Sequence, residues 1–300
     1  MASSFTTVDL SKLPPPNVVE VVNFEDILAS MLADYQARNP GFSALVESDP
    51  AFKLLEAAAY REVIQRQRVN DAAKAVMLPY AVGVDLDNIG ANFDVERLLL
   101  DAGDATAIPP VPPSYETDDD FRRRIQLSFE GYTTAGSEGS YVFHALSADG
   151  DVKDVSVTSP SPGQVSVYVL SKTDDGTASA DLIAAVNAAL NADEVRPMTD
   201  NVSVFSANIV PYAITAELVL YPGPDSTVVQ QAAQDAITAH VADIKKMGLD
   251  VSLSGILAQL HQPGVQNVNL TSPAANISIS PSQAANCTAI TLTVSAYRNE

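Results

Sequence analysis

The sequence predicts an α+β fold: an N-terminal helical arm and bundle, then an α/β domain with an internally duplicated helix-strand unit and a mostly antiparallel or mixed sheet covered by helices. Three observations carry this prediction. Residues 51–78 contain neither Gly nor Pro and read as one long helix. From Ser137 onward, helical spacing alternates with period-two runs. The strand VKDVSVTSP, Val152–Pro160, is nearly repeated as VQNVNLTSP, Val265–Pro273, 113 residues further on.

Residues 1–22 are interrupted by Pro14, Pro15 and Pro16, which lack an amide donor and hold the backbone extended, so they read as an arm. A helical domain is expected over 23–100. Asn23 stands at an N-cap position with Glu25 and Asp26 in the first turn, and Phe24, Ile27, Leu28 and Met31 form an apolar stripe. That helix should stop before Pro40-Gly41. Ser48-Asp49-Pro50 starts the long helix, with Pro at the first position, where a missing N–H costs nothing. At 1.5 Å per residue this helix would reach ~40 Å. Its positions Leu55, Ala59, Val69, Ala73 and Val76 follow three-and-four spacing, while Glu62, Gln65 and Arg66 interrupt the middle. A shorter helix should begin at Asp85 and end near Asn92, a residue that tolerates a left-handed position.

The acidic, Pro-rich segment 101–116 is the expected linker. An α/β domain should fill 117–273. Thr117 with Asp120 makes a capping-box-like start for a helix on which Phe121, Ile125 and Phe129 share a face, and Asp118, Asp119 and Asp120 suit its dipole without any metal. Each copy of the repeated strand follows a short helix beginning at a serine, Ser140 and Ser254, which suggests two related units in one sheet. Between them, IVPYAITAELVLY places Val210, Tyr212, Ile214, Ala216, Leu218 and Leu220 on one side of a half-buried strand. Asp225 and Ser226 cap an amphipathic helix that Gly248 ends. Residues 274–300 read as a polar tail with a short strand at AITLTVS.

Charge excludes several functions. With 17 Lys and Arg against 37 Asp and Glu, the chain carries −20 and repels phosphate backbones and anionic lipids, so no nucleic acid is expected as a partner. No apolar run is long enough to insert in a membrane, and the start is not a secretory signal. One cysteine, Cys287, rules out an intrachain disulfide and a thiolate zinc site.

Reactive groups do not cluster. His144, His240 and His261 fall on three different helices with no ligand-spaced partner, and no nucleophile elbow, P-loop or dinucleotide motif occurs. Asp174-Asp175-Gly176 lacks the further oxygen ligands of a calcium loop and reads as a turn. No cofactor, metal or catalytic residue is expected. The scarce positive charge gathers at Arg61, Arg66 and Arg68 and again at Arg122, Arg123 and Arg124. These arginines either pair with carboxylates of their own chain or dock acidic surfaces of neighbours. Together with Phe24, Ile27, Leu28, Met31, Leu55, Ala59, Val69, Ala73 and Val76 they form the candidate partner interface.

An ordered set of segments resembles a known family. YREVIQRQRVNDAAKAVM, DLDNIGANFDVER, DDFRRRI, the run ADG-x-V-x-DV-x-V with SPSPG and QVSVYVL, then EVRPMTDNVSV and IVPYAITAELVLYPGP occur in the order found in baseplate assembly protein J of contractile-tailed bacteriophages and R-type bacteriocins. The resemblance runs from about Asn23 to the region of Cys287. It implies a structural role in a tail baseplate, after assembly in the host cytoplasm. Two copies would join one smaller wedge protein through a shared helical bundle. Wedges would close, through the C-terminal α/β part, into a six-fold ring around the spike hub, touching sheath-initiating and hub proteins and triggering sheath contraction. The Pro-rich linker would let one sequence adopt two geometries. A tail-associated cell-wall hydrolase is the alternative, but the carboxylates show no recognisable pairing. A sugar-binding adhesin would call for aromatic-rich β repeats, whereas 10 Tyr and 9 Phe are scattered along the chain.

Overall fold

The computed structural model describes residues 8, 10–41, 46–133, 135–223 and 225–295. Residues 1–7 and 9 of the expected arm and 296–300 of the expected tail lie outside them. The described chain divides into two units, one of Val8–Arg97 with Thr117–Arg122, the other of Leu98–Glu116 with Arg123 onward.

The first unit is helical. Helix α1, Phe24–Arg38, starts where Asn23 Oδ1 accepts the Glu25 N–H at 3.0 Å. Helix α2, Pro50–Ala75, starts where Asp49 Oδ1 accepts the Ala51 N–H at 2.8 Å, and Pro50 occupies its first turn. The two helices pack through Ile27, Leu28 and Ala59, flanked by Phe24, Met31, Leu55 and Val63. The extended segment before α1 is tied to α2 by Asn70, whose amide donates to Glu20 O at 2.8 Å and accepts the Glu20 N–H at 3.1 Å. Both polar ends of this buried side chain are therefore satisfied.

Helix α3, Gly83–Ala91, begins two residues before the expected Asp85. Its first amide, on Gly83, donates to Asp118 Oδ2 at 3.1 Å, so the cap comes from 35 residues away and local spacing could not show it. Asn92 remains right-handed, and the left-handed residue is Asp94, at φ 57°. Arg97 stacks over the Phe121 ring at 4.7 Å while pairing with Asp87 and Asp118, each at 2.7 Å.

The second unit opens on the expected linker, 101–116. There β1, Leu99–Asp101, pairs antiparallel with β2, Ser114–Tyr115. Helix α4, Asp118–Gly131, follows, with Thr117 Oγ1 accepting the Asp120 N–H at 3.2 Å, and the division between units falls inside it. Phe121 and Ile125 are buried, but Phe129 is 68% exposed, with its ring 6.4 Å from that of Tyr132.

Two small lobes make up the rest. The central lobe runs α5 (Glu138–Ala148), β3 (Val152–Ser161), β4 (Gln164–Ser171), α6 (Ala180–Leu190) and β5 (Asn201–Ser206), in sheet order β3-β4-β5. The C-terminal lobe runs β6 (Asn208–Leu220), α7 (Ser226–Ile244), α8 (Leu253–Leu260), β7 (Val265–Ser272) and β8 (Gln283–Ser295), in order β7-β6-β8. The repeated strands therefore lie in two separate sheets, not the single one expected. Each of them, β3 and β7, is an edge strand antiparallel to a central strand that has a parallel neighbour on its other side. The preceding helices are capped by Ser137, which accepts the Ser140 N–H, and by Ser252, which accepts the Gly255 N–H. Ser140 and Ser254 lie inside the helices, because a cap accepts from an amide two or three residues onward.

In β6 the period-two side closes the largest core, with Tyr212, Ile214, Ala216, Leu218 and Leu220 against Val229, Ala233 and Ile237 of α7. The strand expected at AITLTVS is the C-terminal half of β8, which begins six residues earlier and whose 13 residues pair with β6 along most of its length. The mixed sheets backed by helices make the protein α+β.

Candidate partner interface

The structure separates the predicted interface residues into three groups. Ile27, Leu28 and Ala59 are buried between α1 and α2, with Phe24, Met31 and Leu55 beside them, so these side chains close the protein's own helix pair. Helical spacing identified the apolar stripe but could not say which helix would cover it.

The second group is ionic and intrachain. Arg122 donates to the carbonyls of Leu78 and Ala81, each at 2.8 Å, and pairs with Asp119 at 2.6 Å. Arg123 reaches Asp154 at 2.7 Å. Arg124 is buried against Glu116, whose Oε1 also accepts the Leu98 N–H at 2.9 Å. Burial pulls the Arg124 pKa down, and the Glu116 charge and hydrogen bond oppose it. Arg66 pairs with Glu62 and Glu20. Of the two alternatives for these arginines, Arg66 and Arg122–Arg124 take the intrachain one.

The third group faces outward. Val69 and Val76 are exposed, Ala73 is half-buried, and Arg61 and Arg68 project from α2 with no ion-pair partner among the described residues. Leu54, Tyr60 and Ile64 join them, with Leu54 72% and Val76 74% exposed. These three were missed because the reading followed one apolar stripe. The signal was available: Leu54, Arg61 and Arg68 recur every seven residues, which returns to nearly the same side of a helix. Helix α2 thus has two apolar sides, one covered by α1 and one bare. Beside it, a cleft of about 540 Å³ opens between the helices, lined by Asp26, Asp34, Glu62, Arg66 and Met31 among others.

Among the described residues no three His, Cys, Asp or Glu side chains approach closely enough to hold a metal ion, and no helix is long and apolar enough to cross a membrane. Tyr141 donates to Asp200 at 2.7 Å, and burial, then that hydrogen bond, pushes its pKa well up, so the phenol stays protonated and fixes the loop around Asp200. Asp175 accepts the Thr177 N–H at 2.9 Å and makes the turn expected at Asp174-Asp175-Gly176.

Helix-backed sheets in series give the α+β class but do not by themselves assign a role. Comparison with known proteins supplies the family. Residues 47–104 match the Baseplate J-like N-terminal domain, 133–206 the Baseplate J-like central domain, and 212–293 the Baseplate J-like protein C-terminal domain. The chain is 49% identical over 288 residues to Baseplate protein J of Escherichia phage P2, covering 94% of this chain and 95% of that one. It belongs to the baseplate J-like family, whose members are structural baseplate proteins. A chain in the cryo-EM structure of the anti-feeding prophage baseplate, 6-fold symmetrised, aligns at TM-score 0.43 and 15% identity, over 59% of this chain and 44% of that one. The present chain thus spans less than half the length of that protein.

Proposed function

We propose that this protein is a wedge component of a contractile-tail baseplate, in which two copies and one smaller wedge protein share a helical bundle. Wedges then close into a six-fold ring around the spike hub, and sheath contraction follows when the ring opens. Family membership supports the baseplate role, and one feature of the molecule supports the bundle. The outward side of α2 carries Leu54, Tyr60 and Ile64 in water, although α1 already satisfies the other side, and Val69 on its flank and Val76 just past its end are exposed as well. Clustered exposed apolar side chains mark a surface that another chain covers.

Arg61 and Arg68 on the same side give the contact its polarity, because a neighbour of comparable acidity can meet them with carboxylates. The test is to co-express the full chain with each tail protein encoded beside it and to measure complex masses by light scattering. A complex of two copies with one smaller chain is expected, weakened by Leu54→Glu or Ile64→Glu. A chain that stays monomeric at high concentration and ignores every such protein would overturn the reading.

A further inference from the structure

We propose that the outer edge of β8 is a docking edge on which an extended, acidic segment of another protein adds to the C-terminal sheet as a fourth strand. β8 pairs with β6 on one side only. At its start the outer side is closed by Met247, which bridges Ala284, and the Gly248 N–H donates to Gln283 O at 2.9 Å. Near its end Gln230 Nε2 donates to Leu292 O at 2.8 Å. Between these contacts, over 285–291, no further strand lies alongside among the described residues.

An unpaired edge is a template for another strand, and proteins usually guard it with Lys, Pro or a bulge. Residues 283–295 contain no charge and no Pro, in a chain where 18% of residues are charged. Of these guards the strand has only a bulge, at Thr288, whose hydroxyl turns back to Tyr212 O at 3.0 Å. Directly beside it a groove of about 460 Å³ separates Cys287, Ala289 and Ile290 from Thr238 and Val241 of α7. An added strand can place alternate small apolar side chains there while its backbone pairs with β8.

Charge selects the occupant. Lys153 and Lys245 both line this groove, a concentration of cations in a chain with 17 Lys and Arg against 37 Asp and Glu. Lys245 Nζ donates to the neutral carbonyl of Asp174 at 3.2 Å, and Asp175 also feels its charge. The groove therefore favours a segment that brings a carboxylate to the lysine end.

Only the location of the partner rests on the baseplate reading. The test compares amide hydrogen exchange over 285–291 in the full chain alone and in assembled tails. It then sets Lys153→Glu/Lys245→Glu against wild type in competitive incorporation. Exchange should slow about tenfold in tails, and the reversed-charge variant should be under-incorporated by about tenfold while melting with the wild type. Ala289→Lys, at an exposed edge position, should give the same loss without touching the lysines. Equal exchange free and assembled, or normal incorporation of both variants, would overturn the proposal. Slowing in the concentrated chain alone would assign the edge to a second copy and also overturn it. Wild type that never enters tails would instead sink the baseplate reading.

Discussion

Asp154 Oδ2 accepts the backbone N–H of Met247 at 2.9 Å, across 93 residues of sequence, while its Oδ1 accepts from Arg123 at 2.7 Å. One carboxylate on β3 thereby ties α4 to the loop after α7 and holds the central lobe to the C-terminal lobe. Strands β5 and β6 of those lobes are separated by Ala207 alone, which packs with Leu170, Met247 and Ala284. Asp154→Ala should cost about 2–3 kcal/mol, because an amide and a guanidinium lose a charged acceptor at a side chain only 9% exposed. Urea denaturation measures the loss, and faster exchange at the Met247 amide locates it. A change below about 0.5 kcal/mol would show that the lobes are held by apolar contact alone.

Removing Glu116 should be worse than removing its pair together with Arg124. Glu116→Ala leaves a buried guanidinium without its counter-charge and the Leu98 amide without its acceptor, a cost of about 3–5 kcal/mol. Arg124→Met combined with Glu116→Gln keeps an acceptor for Leu98 and removes both charges, so most of the loss should be recovered. A double-mutant cycle by chemical denaturation reads the difference.

The two sides of α2 should respond oppositely to mutation. Leu28→Ala opens the α1–α2 core and should destabilise the chain by about 2–4 kcal/mol. Leu54→Ala and Val76→Ala remove exposed atoms and should leave stability within about 0.5 kcal/mol while weakening complex formation. Thermal melting and light scattering on the same samples separate the two effects.

Burial holds the His144 pKa below its ordinary 6.5, although its Nε2–H donates to the Gly131 carbonyl at 3.2 Å and partly opposes the shift. The unfolded chain therefore takes up this proton at a higher pH than the folded one. Its contribution to stability is complete above about 6.5 and is lost as pH falls from there toward the lower folded value. His144→Gln should flatten the fall in stability between pH 7.5 and 5.5 relative to wild type. An identical slope in the two proteins would exclude the imidazole as its source.

The sequence by itself determined the elements whose signals are local. Asn23, Asp49, Thr117 and Asp225 cap their helices because a side-chain oxygen reaches an amide two or three residues away, and that relation is written in spacing. The buried side of β6 was equally legible, since a strand alternates whatever covers it. The family was legible too, because it lies in the order of segments.

Tertiary structure alone decided the rest, and the reason is the same at each point: the partner is distant in sequence. Asp118 caps α3 from 35 residues away, so its start was misplaced. The repeated strands entered two sheets instead of one because sheet membership depends on which strand comes alongside, a choice that neither copy encodes. Of the candidate interface, only burial could divide Ile27, Leu28 and Ala59, which α1 and α2 spend on each other, from Val69, Val76, Arg61 and Arg68, which stay in solvent.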